Sequence, residues 1–193
     1  MIPFLDISSP AVKSATSNEY SPLTASDIGI TGDGVIIAVL DTGVDNNLHE
    51  SLRGKFRYGA DLTGTTNIYG VDPDDIDGHG THVAGIAAAS GDNSIGVSGV
   101  DWGVRIMPIK VLDAQGSGYD SDVAAAIRYA ADHGAEVVNM SLGGAGVNTT
   151  MNNAVANSIN AGVTYAIAAG NSNSNACNFS PALVPSAITV GAT

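Results

Sequence analysis

The chain has 193 residues, of which 44% are hydrophobic and 13% charged, and nineteen acidic residues against seven basic ones give a net charge of −12. This composition indicates one globular domain and excludes a disordered polymer. The acidic balance excludes nucleic acid as a partner, because phosphate binding requires a basic face. No apolar run reaches membrane-spanning length, and no basic-then-apolar stretch opens the chain, so neither a membrane span nor a signal peptide is predicted within it.

The predicted elements alternate between short apolar runs and helical patterns after a turn-rich stretch, residues 1–33, that is expected to wrap the surface. Strands are predicted over residues 35–40, 104–112, 137–142, 163–168 and 187–190. Helices are predicted over residues 82–90, from an N-cap at Ser121 to a stop at Gly134, and over residues 150–160. Strands alternating with helices predict an α/β fold with a mostly parallel sheet, whose sites lie at the carboxyl ends of strands.

The first chemical motif is Asp41-Thr42-Gly43, at the end of the first predicted strand. A carboxylate there suits the orientation of an imidazole. Asp-Thr-Gly is also the active-site motif of aspartic proteases. Those enzymes pair two such aspartates, whereas this chain has one Asp-Thr-Gly and several helical patterns. An orienting role for Asp41 is therefore favoured.

His79 stands between Gly78 and Gly80 in a run that continues to Gly85, and its flanking glycines are expected to leave room for a substrate and for the ring. The sequence predicts His79 as a general base. His82 lies three residues on and is predicted to be a core histidine. A zinc site built on His79 and His82 is disfavoured, because no third ligand is evident.

Polar and glycine-rich segments follow the later strands. Asn171 comes after residues 168–170 and is predicted to donate its side-chain amide to an oxyanion. The segment Ser141-Leu142-Gly143 ends another strand and is predicted to pair with an extended substrate. Gly116, Gly118 and Tyr119 are predicted to form the opposite wall of that groove, with Tyr119 closing an apolar pocket.

Together these motifs resemble the subtilases, the subtilisin-like serine proteases, over nearly the whole chain; the strongest are Asp41-Thr42-Gly43, Gly78-His79-Gly80-Thr81-His82-Val83-Ala84-Gly85 and Ala168-Ala169-Gly170-Asn171. The resemblance implies a three-layer α/β/α fold and a secreted endopeptidase that cuts polypeptides through an Asp-His-Ser triad and an acyl-enzyme. It gives Asp41 the orienting role, His79 that of the base and Asn171 that of the oxyanion donor.

The resemblance also implies a structural calcium ion. Residues 92–97 resemble the calcium loop of bacterial subtilisins, in which the carbonyls of Gly91, Ile95 and Val97 and the side chain of Asn93 would be ligands. Relatives add a carboxylate from the segment after the first Asp motif, and Glu50 is the candidate here. The acidic run from Asp72 to Gly78 departs from EF-hand spacing, and that motif is rejected.

The nucleophile has no counterpart in the chain, because no serine has the Gly-Thr-Ser-Met-Ala context of the family. Residues 1–193 are therefore predicted to be a single catalytic domain that lacks the propeptide and its C-terminal third. Cys177 resembles the cysteine of the proteinase K and aqualysin branch, whose disulfide partner lies further along. Two alternatives stay open: an inactive protein that binds extended peptides, or half of a split protease completed by a separate chain.

Overall fold

The computed structural model describes residues 29–45, 49–71 and 73–192. Within these ranges, three helices, α1 (His79–Ala88), α2 (Asp120–Asp132) and α3 (Thr149–Asn160), accompany nine strands. The strands are β1 (Ile36–Asp41), β2 (Gly59–Asp61), β3 (Ile68–Val71), β4 (Arg105–Lys110), β5 (Val137–Met140), β6 (Gly144–Ala145), β7 (Thr164–Ala168), β8 (Phe179–Ser180) and β9 (Ile188–Val190). Short 3-10 turns occupy Glu50–Leu52 and Ala176–Asn178.

Seven strands form one sheet in the order β3-β2-β4-β1-β5-β7-β9, and β6 pairs with β8 in a separate ribbon. Every pairing within the large sheet is parallel except that of β3 with β2. The order places β1 beside β5, and β5 beside β7. The carboxyl ends of these strands therefore meet along one edge of the sheet.

The two faces of the sheet bury different helices, as the strand alternation requires. Ala38 and Leu40 of β1 join a cluster with Ile127 of α2 and Val155 of α3. Val39, on the opposite face of β1, joins a second cluster that contains Ala84 and Ala88 of α1. Helices therefore cover both faces, which confirms the predicted three-layer α/β/α fold with a mostly parallel sheet.

In the described part of the chain, the helix coverage on the α1 side of the sheet does not reach β7 and β9. Within β7, Tyr165 and Ile167 point toward α2 and α3 and are buried. Ala166 and Ala168 alternate with them, and Ile188 and Val190 pair beside these two alanines. Ile188 is 58% exposed and Val190 55%. We call this set of four side chains the open strip.

Several predicted boundaries differ from those found. Helix α1 begins at His79 rather than at residue 82, and α2 begins at Asp120, so the predicted N-cap at Ser121 is wrong. Asn148 caps α3, its side chain accepting a hydrogen bond from the backbone N–H of Met151. The stop at Gly134 is confirmed by its left-handed backbone, with φ of 82° just after α2. Strands β2 and β3 are absent from the prediction, and residues 1–28 lie outside the described part of the chain.

Candidate active site

The acid at this edge is Asp41, the last residue of β1, whose side chain is fully buried. Its Oδ1 accepts a hydrogen bond from the backbone N–H of Thr42 at 2.8 Å and lies 2.7 Å from Nδ1 of His79. The other oxygen, Oδ2, is buried and accepts no hydrogen bond from the residues that the structure describes. The direction of the carboxylate therefore depends on the two contacts of Oδ1.

His79 is the first residue of α1, and its side chain is 29% exposed. Since a carboxylate can only accept, the contact with Asp41 requires the proton of a neutral ring to sit on Nδ1, which makes Nε2 the basic nitrogen. The hydrogen bond to Asp41 raises the pKa of His79, burial opposes this, and the charges of Asp41, Asp77 and Asp75 add to the rise. The pair can therefore take up a proton at Nε2 and hold the resulting cation.

Two glycines permit close backbone contacts after β1, one with α1 and one with the loop that precedes α1. A Cβ on Gly80 would lie 2.0 Å from the carbonyl oxygen of Gly43, and a Cβ on Gly43 would lie 2.5 Å from that of Asp74. Gly80 therefore lets two backbones touch, rather than leaving room for the imidazole. Gly78 has φ of 95°, the left-handed region that favours glycine.

His82 does not lie in the core. It is exposed on α1, so the prediction of a core histidine is wrong within the described structure. Ile86, one helical turn further on, is 40% exposed. Both residues belong to the part of α1 that the described chain leaves uncovered.

The other predicted site residues follow the neighbouring strands. Ser141 comes directly after β5, and its hydroxyl accepts a hydrogen bond from the side-chain amide of Asn139 at 2.9 Å. Leu142 is buried, whereas Gly143 is exposed. Asn171 follows β7 by three residues and is exposed, after Gly170 with φ of 97°. The topology thus puts the ends of β1, β5 and β7 in one row, with a predicted site residue at the end of β1 and others after β5 and β7.

A groove borders the segment after Ser141. Gly144–Ala145 pair antiparallel with Phe179–Ser180. Beside this ribbon lies an open depression of about 560 Å³, lined by residues 144–150 with Asp120 and Ser180.

Residues 113–119 form the loop that was predicted as the opposite wall. Oδ1 of Asp113 accepts hydrogen bonds from the backbone N–H groups of Ser117 and Gln115, which lower the pKa of Asp113. Gly116 has φ of 69°, and a Cβ on Gly118 would lie 2.0 Å from the carbonyl oxygen of Val111. Tyr119 is 76% exposed, directly before α2. The loop is ordered by its own hydrogen bonds, and the pocket role of Tyr119 stays a prediction.

The predicted calcium loop is held by hydrogen bonds between neutral groups. Oδ1 of Asn93 accepts from the backbone N–H of Ile95, and the hydroxyl of Ser51 donates to the carbonyl of Ile95 at 3.3 Å. The amide of Asn93 donates to that same hydroxyl at 3.4 Å, while Glu50 is exposed. Among the described residues no group of three or more acidic, histidine or cysteine side chains could hold a metal. The predicted ligands apart from Glu50 are neutral carbonyl and amide oxygens, so the absence of such a group does not test them, and calcium binding at this loop stays a prediction.

Cys177 is a free thiol on the surface, in the 3-10 turn Ala176–Asn178. The backbone N–H of Cys177 donates to the side-chain oxygen of Asn175. Its exposure leaves a thiol accessible to a partner cysteine, but the described residues contain no other cysteine.

Comparisons with known proteins agree with this geometry. The model of the subtilase family matches residues 32–193. A thermophilic serine proteinase of Bacillus sp. strain AK1 is 47% identical over 86% of this chain, and thermitase of Thermoactinomyces vulgaris is 43% identical over 84%. The chain spans 40% of the length of the first relative and 56% of the second.

Solved structures show the same fold. A cold-adapted subtilisin-like serine proteinase superposes with a TM-score of 0.74 at 44% identity, covering 84% of this chain and 56% of that protein. Sphericase gives a TM-score of 0.74 at 41% identity, covering 82% of this chain and 53% of its own. The family match and these identities show that the chain belongs to the subtilase family.

Proposed function

We propose that this chain is the acid–base part of the catalytic domain of a secreted subtilisin-like serine endopeptidase, with the nucleophilic serine supplied from outside the 193 residues. The observation that carries the proposal is the 2.7 Å contact between Nδ1 of His79 and Oδ1 of the buried Asp41 at the carboxyl edge of a parallel sheet. The family membership supports the reaction class.

In this function Asp41 orients the ring of His79, and Nε2 removes the proton of the serine hydroxyl as its oxygen attacks a peptide carbonyl. The raised pKa of His79 supports its role as an acceptor of that proton. The protonated ring then delivers the proton to the leaving amine, and water hydrolyses the acyl-enzyme in the same way. Asn171 donates its amide to the oxyanion of each tetrahedral intermediate.

The substrate is an extended polypeptide. Ser141 follows β5, which lies between the strands that carry Asp41 and Asn171, so a peptide seated there would pass both groups. The exposed backbone at Gly143 allows strand-like pairing, and the loop of Gly116, Gly118 and Tyr119 forms the facing wall. Residues 144–150 border an open depression into which side chains of the peptide can extend.

An extracellular location follows from the family, since one relative, from Thermus sp. strain Rt41A, is named an extracellular serine proteinase. No described helix is long and apolar enough to cross a membrane. The open strip and Ile86 expose apolar surface, which supports an additional segment, within one polypeptide or as a separate chain, that packs there.

For calcium we propose weak binding at most at residues 91–97. The carbonyl oxygens of Gly91, Ile95 and Val97 are of the type that calcium prefers. Ser51, rather than a carboxylate, contacts the carbonyl of Ile95, so the loop is tied by a hydroxyl.

The test of the proposed function is labelling by a fluorophosphonate, which reacts with activated serines. We expect no labelling of the 193-residue chain. We expect labelling and peptide hydrolysis by the product of the source gene read beyond the codon for Thr193, and loss of both in its His79→Ala variant. Labelling of the chain itself would overturn the location of the nucleophile.

A stop codon after Thr193 would leave the two alternatives, which mixing experiments separate. Activity that appears only when a second chain is added would identify a split protease. Saturable binding of extended peptides without turnover would identify a peptide-binding protein.

A further inference from the structure

Asp75 is a buried carboxylate close to the site that the triad does not use. It is 8% exposed and lies in the loop before α1. Its Oδ1 accepts from the hydroxyl of Thr42 at 2.7 Å and from the backbone N–H of Gly78 at 2.9 Å. Its Oδ2 accepts from the backbone N–H and the hydroxyl of Thr81 at 2.8 and 2.6 Å. Four donors on one carboxylate form a strong and directional anchor.

This anchor performs the task of a helix cap. The residue at the N-cap of α1 is Gly78, which has no side chain to accept from the first turn. Asp75 takes the N–H of Thr81 instead, and its negative charge lies at the positive end of α1. Burial alone would raise the pKa of Asp75, but the hydrogen bonds from Thr81, Gly78 and Thr42 bring it below its ordinary value. The first turn of α1, which begins with His79, is thus held on an ionised carboxylate.

Thr42 connects this anchor to the catalytic acid. Its hydroxyl donates to Asp75 and accepts from the backbone N–H of Gly80 at 3.0 Å. Its own backbone N–H donates to Oδ1 of Asp41, the oxygen that faces His79. Thr42 therefore touches the acid, the anchor and the helix that carries the base.

We propose that Asp75 is a positioning residue that acts through Thr42 to hold the ring of His79 against Asp41. The inference rests on the proposed function, because it assigns Asp75 a part in aligning the same acid–base pair. Asp75 touches neither the ring nor a substrate and takes no proton in the reaction. Its effect is to limit the movement of α1 relative to β1, so that the Oδ1–Nδ1 contact persists.

Other charges surround the pair and have to be separated from positioning. Asp77 lies two residues before His79, and its carboxylate accepts from the backbone N–H of His79 at 3.2 Å. On β4, Nζ of the buried Lys110 donates to the carbonyl oxygens of Thr42 and Asp74. The charges of Asp77 and Asp75 both raise the pKa of His79, and the effect of Asp77 is the larger. Loss of charge alone would therefore make Asp77 the more important of the two.

The first test uses an uncharged change, so that electrostatics stay constant. Thr42→Val keeps the shape of the side chain but removes the hydroxyl, whereas Thr42→Ser keeps the hydroxyl. The pKa of each histidine in the full chain is followed by NMR through its ring Cε1–H signal. We expect Thr42→Val to abolish about half or more of the elevation of the His79 pKa, because the pair becomes mobile. Thr42→Ser should retain the elevation, and His133, far along the chain, serves as the internal reference.

The second test compares Asp75→Asn with Asp77→Asn. Each change removes one negative charge, but only Asp75→Asn breaks the four-donor anchor. The new side-chain NH₂ group would face a backbone N–H, of Gly78 or of Thr81, and two donors cannot form a hydrogen bond with each other. Positioning predicts the larger fall in the His79 pKa for Asp75→Asn. Charge alone predicts the larger fall for Asp77→Asn.

The outcomes distinguish this proposal from the proposed function. A Thr42→Val chain that melts earlier but keeps the wild-type His79 pKa would overturn the positioning role and leave the Asp41–His79 pair intact. An Asp75→Asn effect no larger than that of Asp77→Asn would overturn it as well, including where Thr42→Val does not fold. A wild-type His79 without an elevated pKa would instead contradict the pair on which the proposed function depends.

Discussion

The two halves of the sheet differ in how completely they are covered. Around β1 and β4, α1 packs on one face and α2 on the other, and the half contains the buried Asp41 and Asp75. Around β7 the side chains that face α2 and α3 are buried, but β9 is exposed throughout, and that half carries the exposed Asn171 and the open strip. Asp41 and His79 are thus aligned in the covered half, whereas Asn171, the proposed oxyanion donor, is exposed in the half that carries the open strip.

The largest change in stability is expected when the same charge is placed on the buried face and on the exposed face of the half formed by β7 and β9. Ile167 is 1% exposed and Val190 is 55% exposed. We expect Ile167→Asp to lower the free energy of unfolding by more than about 4 kcal/mol, because it buries an unpaired charge. Val190→Asp should cost less than about 1 kcal/mol. Urea denaturation measures both, and equal losses would show that the open strip is buried in solution.

A second test concerns the contact between β1 and α1 in the covered half. Gly80→Ala forces a Cβ toward the carbonyl of Gly43, and we expect a loss of about 1–3 kcal/mol in the free energy of unfolding. Gly85, on the same helix, has nothing within 4 Å of its added Cβ. Gly85→Ala should therefore stabilise the chain by up to about 1 kcal/mol through helix propensity. A neutral Gly80→Ala would contradict the close approach of the two backbones.

The Asp41–His79 pair in the covered half should make the stability of the chain depend on pH. His79 has a folded-state pKa above its unfolded value, so its contribution is complete below the unfolded value and is lost as pH rises through the folded value. We expect urea midpoints of the wild type to fall over that interval, and His79→Gln to remove this component of the slope. His133→Gln is the control, since that histidine lies on the surface at the end of α2. If the urea midpoints of His79→Gln depended on pH as those of the wild type do, the Asp41–His79 pair would not contribute to stability.

The smallest expected effect is that of calcium. We expect no measurable change in Tm of the wild-type chain when calcium at about 1 mM is replaced by a chelator, because weak calcium sites have dissociation constants near this concentration. Ser51→Asp places a carboxylate next to the carbonyl of Ile95 and should create a calcium-dependent rise in Tm. Ser51→Ala is the control that removes the hydroxyl without adding charge. A fall in wild-type Tm on chelation would show that the loop binds calcium tightly after all.

The strands that could be predicted from the sequence are those with continuous apolar runs. β1, β4, β5 and β7 were predicted in this way and lie inside the sheet, and β9, predicted over residues 187–190, lies at its edge. β3 was not predicted because its four residues include Gly70 and form no continuous apolar run. The core prediction for His82 is wrong because burial requires a neighbour on that side of α1, and His82 is exposed in the described structure.

The site residues at the ends of the strands could be predicted from motifs, but the network between them could not. Asp75 is one of four aspartates between residues 72 and 77, and nothing in that run separates it from its neighbours. Its role depends on Thr42, which lies 33 positions earlier in the chain and comes into contact only through folding. A glycine at the N-cap was the available signal, because it leaves the first turn of α1 without a side-chain acceptor.

The pairing of Asp41 with His79 is tested by the pKa of His79 in the 193-residue chain, measured by NMR beside that of an Asp41→Asn variant. We expect a wild-type pKa above that of an ordinary histidine, and a clear fall in Asp41→Asn, because the buried carboxylate stabilises the protonated ring. A wild-type value at or below the ordinary one, unchanged by Asp41→Asn, would show that the acid and base are not paired in this chain.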